Sequence, residues 1–225
     1  MDESSPRAIE IADQVMVAMG GRAAWDNTRY LSWSFFAEDQ VWDKWTGRFR
    51  WQNDSTVVLM NIHDLTGRAF VNGEEVEAAE EYVRRAYADW INSGYWLLMP
   101  YKLKDSGVTL GYTGEGTMES SKEAYILSLT FENVGLTPQN KYDVYVDKES
   151  MLVRQWSFYR NASDESPAWT RPWDNWRPYG AIMLSDSRGP LGDGNLFLLR
   201  NLGVYDALPD AVFEDAKKVD LASLK

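Results

Sequence analysis

The sequence contains no cysteine and a single histidine, His63. Without cysteine the chain can form no disulfide, thiolate zinc site, iron–sulfur cluster or thiol nucleophile, and one histidine excludes a multi-histidine metal centre. A serine–histidine nucleophile would depend on His63, which lies in an apolar run, and no G-x-S-x-G motif occurs. We therefore expect no metal and no cofactor, and interpret His63 as a hydrogen-bonded strand residue.

Positive charge is scarce as well. Lys and Arg number 23 against 34 Asp and Glu, which gives a formal net charge of −11 at pH 7. Binding a phosphate backbone requires a basic surface, so nucleic acid is not an expected partner. No G-x-x-x-x-G-K-[ST] phosphate loop occurs either. No apolar run approaches the roughly 18–20 residues that span a bilayer, so we expect no transmembrane segment.

Aromatic side chains, in contrast, are abundant, with 11 Trp, 12 Tyr and 8 Phe among 225 residues. A chain of this length suits one large domain, and we predict a single domain over residues 1–225. Residues 1–5 are acidic and serine-rich, which predicts a flexible tether. The aromatic residues are therefore the main indication of function.

Two amphipathic helices are predicted. Ser5-Pro6 supplies an N-cap and a first-turn proline for a helix over residues 6–20, which Gly20-Gly21 ends. A second helix, over residues 77–94, repeats apolar residues at helical spacing and has Gly94 where a C-terminal glycine belongs. Its apolar face predicts that it covers a sheet.

Most of the remaining chain consists of short segments that alternate apolar and polar residues between turn signals, which predicts an antiparallel meander. Trp33 and Phe35, for example, alternate with serines. The exception is Asn161–Tyr179, a proline-punctuated segment that we expect to be a long loop. It contains three tryptophans, Trp169, Trp173 and Trp176.

The aromatic residues allow three interpretations. They can simply fill a core, which is the usual role of alternating strand positions. They can line an incompletely filled barrel that accepts a hydrophobic or lipid-like ligand. Alternatively, Trp169, Trp173 and Trp176 can form an exposed platform that stacks on sugars, as in a carbohydrate-binding module.

The order of elements resembles the LolA/LolB-like superfamily, which includes outer-membrane lipoprotein carriers. The segment Tyr142–Val153 is similar to the strand, acidic turn and strand found in the second half of these proteins. Met19–Asp26 and Val41–Asp43 are closest to an uncharacterised group of exported bacterial proteins in this superfamily. The resemblance implies an α+β fold, a single-domain unclosed antiparallel β-barrel, or large curved sheet, covered by helices.

The resemblance also implies an exported protein, periplasmic or membrane-tethered, whose signal sequence is absent from the chain as given. It assigns no cargo, and Arg29, Arg48 and Arg50 are all candidates for the arginine that closes the groove in true carriers. An envelope protein is a further candidate partner. The richness in tryptophan departs from the more aliphatic cavities of the carriers.

From these observations we predict non-enzymatic binding of a lipid or other hydrophobic small molecule in a barrel cavity. A carbohydrate-binding module and a cofactor-free enzyme on the same fold are the alternatives. The residues expected to line the ligand site are Trp33, Phe35, Trp45, Trp51, Met60, Trp90, Trp96, Met99, Trp156 and Phe158.

Overall fold

The structure is a computed structural model that describes residues 4–132, 137–191 and 194–224. Its helices are α1 (Pro6–Ala18), α2 (Arg22–Asn27), α3 (Glu80–Leu98) and α4 (Ala211–Glu214), with 3-10 turns at Met99–Lys102 and Leu221–Ser223. Its strands are β1 (Tyr30–Phe35), β2 (Glu38–Asp43), β3 (Arg48–Gln52), β4 (Thr56–Asn61), β5 (Gly67–Val71), β6 (Glu74–Glu75), β7 (Val108–Thr117), β8 (Glu123–Phe131), β9 (Lys141–Asp147), β10 (Val153–Tyr159), β11 (Trp169–Pro172), β12 (Asp174–Tyr179), β13 (Ile182–Pro190), β14 (Leu196–Leu198) and β15 (Arg200–Tyr205). The predicted α+β class is confirmed.

The two large sheets are antiparallel and do not close into a barrel. One has seven strands in the order β15-β1-β2-β3-β4-β5-β6, and the other has five in the order β11-β10-β9-β8-β7. A third sheet has the order β12-β13-β14. The unclosed arrangement is as predicted, but the strands are divided among three sheets. The first meander stops because β6 has only two residues before the chain turns into α3.

By its internal contacts the chain divides into two compact units. The described residues of the first lie within Met1–Trp25, Leu98–Arg177 and Ile182–Phe197. Those of the second lie within Asp26–Leu97, Pro178–Ala181 and Leu198–Lys225. The single-domain organisation stays a prediction.

In the second unit, α3 lies on one face of the seven-stranded sheet. The rings of Trp42 on β2 and Trp90 on α3 meet at 5.4 Å in an edge-to-face contact. At the other end of the helix, Val83 packs so closely over Gly67 that a Cβ there would lie 3.0 Å from its Cγ2 atom. Large aromatic side chains therefore separate sheet and helix at one end, and a glycine lets them approach at the other.

The opposite face of the same sheet is covered by residues 208–224, which we call the C-terminal strap. The guanidinium of Arg50 is fully buried and donates to the backbone carbonyls of Val212 and Asp215. Gln52 and Val219 form two hydrogen bonds. Gln52 Nε2 donates to the Val219 carbonyl oxygen at 2.6 Å, and the Val219 backbone N–H donates to Gln52 Oε1 at 3.0 Å. Val212, Phe213 and Leu221 of the strap join an apolar cluster with Tyr30, Val41 and Leu208.

The first unit contains the five-stranded sheet and α1. The apolar face of α1 is buried through Ala8, Ile11, Ala12 and Val15. On the sheet, Tyr142 of β9 stacks on Trp156 of β10 with ring centroids 5.2 Å apart. This aromatic packing fills the sheet face with protein side chains.

Two boundaries and one segment differ from the prediction. The first helix ends at Ala18, close to the predicted end. The second begins at Glu80 and continues past Gly94 to Leu98, because the apolar run after Gly94 extends its buried face. The expected loop over Asn161–Tyr179 instead contains β11 and β12. Pro172 fits there because β11 is an edge strand, where a missing N–H removes no ladder bond.

Candidate functional site

The candidate site lies on the face of the seven-stranded sheet beneath α3. Strand register pairs Trp33 with Gln40 and Gln40 with Trp51, so the three side chains lie next to one another on this face. The indole N–H of Trp33 donates to Ser93 Oγ of α3 at 3.0 Å. Ser93 Oγ lies 2.8 Å from Gln40 Oε1 and 2.6 Å from the carbonyl oxygen of Asp89, so its single proton is shared. A polar network therefore crosses an otherwise aromatic interface.

Three buried nitrogen donors on this face have no hydrogen-bond partner among the described residues. They are Nε2 of Gln40, Nε1 of Trp42, two residues further along β2, and Nε1 of Trp51 on β3. Gln40 itself is only 1% exposed. An unpaired buried donor costs about 1–3 kcal/mol, so such groups are retained where they serve a purpose or meet a bound molecule.

A charged group borders these donors. Arg85 of α3 lies 3.9 Å from Glu38 and 3.9 Å from Asp89, and its guanidinium is 5.2 Å from the ring of Trp51. Burial raises the pKa of Asp89, and Arg85 opposes this shift. The Trp51 indole N–H also opposes it, although it does not reach full hydrogen-bond geometry with that carboxylate.

Glu38 behaves in the same way. Burial first, and then the negative charge of Asp89, raise the pKa of Glu38, again against the effect of Arg85. With two acids and one arginine, this cluster carries a net negative charge once both carboxyl groups ionise. It therefore disfavours an anion near Gln40.

Phe35, Phe36 and Trp96 form a cluster that we call the aromatic rim. It lies beside the turn that joins β1 and β2, and Trp96 comes from α3. Phe35 meets Phe36 edge to face at 4.8 Å and Trp96 of α3 at 6.2 Å. Phe36 is 67% exposed and has a φ of 54°, a left-handed conformation that is unfavourable for a large non-glycine residue. The rim adjoins the charged cluster because Phe35 pairs with Glu38 across the strands.

The structure brings together six of the residues expected to line a ligand site. Trp33, Phe35, Trp51 and Met60 lie on the sheet face, and Trp90 and Trp96 lie on α3. Trp33 and Trp51 are fully buried among protein side chains.

Trp45 lies apart from this group, in the turn between β2 and β3. It is 56% exposed, and its indole N–H donates to the carbonyl of Asp26 at 3.1 Å. The strand alternation does not continue through this turn, so Trp45 does not share the face of Trp51.

The remaining three predicted residues, Met99, Trp156 and Phe158, belong to the first unit. Met99 and Trp156 are buried. Phe158 stacks on Trp169 with ring centroids 5.1 Å apart. The predicted set is therefore divided between the two units, which strand periodicity could not indicate.

The predicted tryptophan platform is not one exposed surface. Trp173 is fully buried between Trp156, at 5.0 Å, and the guanidinium of Arg188, 3.5 Å from its ring. Trp176 donates its indole N–H to the carbonyl of Val153 at 2.8 Å. Pairing of β11 with β10 draws this segment onto the sheet, which is why Trp173 is not available for stacking on a sugar.

His63 is exposed in the turn after β4, not in a strand as predicted. Its backbone N–H donates to Asn61 Oδ1 at 2.9 Å. The described ranges contain no group of three His, Cys, Asp or Glu side chains that could hold a metal.

The candidate arginines have structural partners. Arg29 and Arg48 both bond the buried carboxylate of Asp43, at 3.0 and 3.3 Å, and Arg50 holds the C-terminal strap. Burial acts to raise the pKa of Asp43, but hydrogen bonds, chiefly from Arg29, outweigh it and lower the pKa.

An open hollow of about 420 Å³ lies elsewhere in the second unit. It is lined by Arg48, Leu59, Met60, Asn61, Thr66, Gly67, Arg68, Phe213 and Glu214. Its two arginines already pair with acids, Arg48 with Asp210 at 2.8 Å and Arg68 with Glu75 at 2.7 Å. The hollow therefore offers no unpaired arginine to an anionic ligand.

Sequence reasoning missed the polar residues of the site, namely Glu38, Gln40, Arg85, Asp89 and Ser93. A signal was present in part: Asp89 and Ser93 are four residues apart, so they lie on the same side of a helix. Gln40 likewise lies two residues before Trp42 in a strand pattern. Without the register, nothing indicated that these positions meet.

No family model and no curated protein matches the chain. Solved structures that it is similar to include a DUF1329 family protein from Desulfovibrio piger, with 11% identity, 94% of this chain and 98% of that chain covered, and a TM-score of 0.49. A LolA superfamily protein is also among them. It is from Nitrosomonas europaea, with 11% identity, coverage of 92% and 97%, and a TM-score of 0.40. A chain of the Pseudomonas aeruginosa MucA/MucB complex follows with 10% identity, coverage of 97% and 62%, and a TM-score of 0.26.

The superfamily that the sequence resembles is thus represented among these structures. At such identities and TM-scores, the comparisons assign no residue a role in this chain. Within the described ranges, none of the helices combines the length and hydropathy required to cross a membrane.

Proposed function

We propose that this protein is a non-enzymatic binding protein of the cell envelope that holds a hydrophobic or lipid-like ligand at the aromatic rim. The observation that carries the proposal is the exposure of Phe36, held in a left-handed backbone conformation against Phe35. The left-handed conformation is unfavourable in itself, and the exposure of a large apolar ring is unfavourable unless something covers the ring.

The energy of such binding is adequate. Burial of apolar surface contributes roughly 25 cal/mol per Å², so covering a few hundred Å² of the rim and a ligand offsets the cost of association at micromolar strength. Trp33 and Trp51 are already packed, so the ligand would contact the rim first. The location in the envelope and an envelope protein partner follow only from the sequence resemblance and stay predictions.

The test is a fluorescence titration with N-phenyl-1-naphthylamine, which emits strongly in apolar surroundings. We expect the wild-type protein to bind this probe and Phe36→Asn to bind it about tenfold more weakly, because an aromatic contact is lost. Asparagine tolerates a left-handed φ, so the turn itself is retained.

Leu65→Asn is a matched control. Leu65 is also exposed, at 43%, and also has a positive φ, of 58°, but it lies in another turn of the same unit. We expect its variant to bind the probe like the wild type. Absence of binding by the wild type, or equal loss in both variants, would reject the rim as a ligand site.

A further inference from the structure

The unpaired donors beneath α3 indicate what kind of polar group the ligand carries. Nε2 of Gln40 and Nε1 of Trp42 are buried and find no acceptor within the described ranges. An indole N–H can only donate, so the Trp42 nitrogen can be satisfied only by an acceptor. The Gln40 amide is oriented by Ser93 Oγ at its Oε1 atom, which leaves Nε2 as its unsatisfied end.

These donors lie close to the aromatic rim. Glu38 pairs with Phe35 of the rim, and Gln40 follows Glu38 by two residues on the same face of β2. At about 3.3 Å per residue, the Gln40 backbone is roughly 7 Å inward from the rim. Gln40 is only 1% exposed, so a head group that accepts a hydrogen bond from its Nε2 atom has to enter beneath α3 from the side of the rim.

The charges beside the donors restrict that head group. Glu38 and Asp89 flank the position, and Arg85, 3.9 Å from each, offsets only one of the two negative charges. A carboxylate or phosphate head group would be repelled here, whereas an uncharged acceptor would not. Trp33 and Trp51, on either side of Gln40, add apolar surfaces that favour a neutral group.

We propose that the ligand is an uncharged acyl ester, whose carbonyl oxygen accepts a hydrogen bond from Gln40 Nε2 while its alkyl chain lies on the aromatic rim. This assignment rests on the proposed function and specifies the chemistry of its ligand. The ester carbonyl distinguishes the ligand from a hydrocarbon, a free fatty acid and a fatty alcohol.

The experiment compares competitors of equal chain length for bound N-phenyl-1-naphthylamine at about pH 8, where laurate is fully ionised. Methyl laurate carries the carbonyl, and dodecyl methyl ether replaces that carbonyl by a methylene group. We expect the ester to bind about five- to tenfold more tightly than the ether, since it pairs a buried donor. Laurate should bind more weakly than the ester.

Gln40→Met removes the donor at similar volume, and we expect it to abolish the difference between ester and ether. Gln155→Met, at another buried glutamine in the first unit, should retain it. If Gln40→Met does not fold, NMR spectroscopy of the wild-type protein labelled with nitrogen-15 tests whether the ester binds at Gln40. The side-chain amide resonances of Gln40 should shift with the ester and stay unchanged with the ether.

The outcomes separate this assignment from the proposed function. If the naphthylamine probe binds but ester and ether compete equally, the ester assignment is wrong and apolar binding stands. Tighter binding of dodecanol or laurate would also overturn it, because a donating or charged head group would then be preferred. If the probe does not bind at all, the proposed function fails first.

Discussion

The carboxyl groups of Glu38 and Asp89 bind protons more tightly in the folded chain, since burial raises both pKa values. A carboxyl group of this kind contributes stability that is complete below its unfolded pKa of about 4. That contribution is lost as the pH rises through the higher folded pKa. The cluster beneath α3 is therefore less favourable at neutral than at acid pH.

We expect the double variant Glu38→Gln, Asp89→Asn to be more stable than the wild type at about pH 8, with little difference at about pH 4. The physical reason is that the variant carries no charge to desolvate at either pH. Urea unfolding at the two pH values measures the effect. A gain that is equal at both would show that ionisation is not its cause.

Glu75→Gln is the control, because the pKa of Glu75 is shifted in the direction opposite to those of Glu38 and Asp89. The pKa of Glu75 is lowered, chiefly by hydrogen bonds from Arg68. A lowered pKa contributes stability above the unfolded value that is lost as the pH falls through the folded one. This variant should therefore be slightly less stable than the wild type at about pH 8 and indistinguishable from it at low pH.

Among the helices, α3 contains a glycine that its structure does not require. Gly94 lies inside the helix with no positive φ, and a Cβ there would meet no atom within 4 Å. Glycine is less favourable than alanine in a helix by about 0.5–1 kcal/mol. We expect Gly94→Ala to raise the free energy of unfolding by about this amount, measured by urea unfolding.

Gly67→Ala provides the comparison. A Cβ at Gly67 would lie 2.7 Å from the Leu59 carbonyl oxygen and 2.8 Å from Met60 Cβ. This substitution should destabilise the protein. If Gly94→Ala is equally destabilising, the space beside α3 is filled under the conditions of the measurement.

The same helix shows how far the sequence predicts the elements. Local signals place the start of α1, because Ser5-Pro6 acts within one turn. They do not end α3 at Gly94, because the burial of Leu97 and Leu98 outweighs the preference of one glycine. Pairing of β11 with β10 likewise is a tertiary effect, and the prolines of that segment concealed it.

The site was predictable only in its apolar part. Alternation identifies Trp33, Phe35 and Trp51 as residues of one face, and helical spacing adds Trp90. The unpaired nitrogen of Gln40 arises from strand register and from the contact with Ser93. Gln40 and Ser93 are 53 positions apart in the sequence. Such a feature has no local signature.

For the whole chain, the C-terminal strap is an integral part of the second unit. Burial lowers the pKa of Arg50 to about 10, and the strap's carbonyls are its main partners. We expect a chain ending after Tyr205 to lose at least about 4 kcal/mol or to remain unfolded, because a buried charge and a sheet face lose their cover. Circular dichroism with urea titration measures this.

Lys218→Ala in the full chain is the control, since Lys218 contributes one exposed bond to the Asp54 carbonyl at 3.2 Å. Its effect should stay within about 0.5 kcal/mol. A truncated chain as stable as the wild type would show that the strap is dispensable.

The position of Trp45 has a spectroscopic consequence. Of the 11 tryptophans, all of which lie in the described ranges, Trp45 is the most exposed, at 56%. A collisional quencher such as iodide will extinguish its red-shifted emission first and leave the shorter-wavelength light of the interior indoles. Quenched samples therefore report mainly on the less exposed tryptophans, without any engineered label.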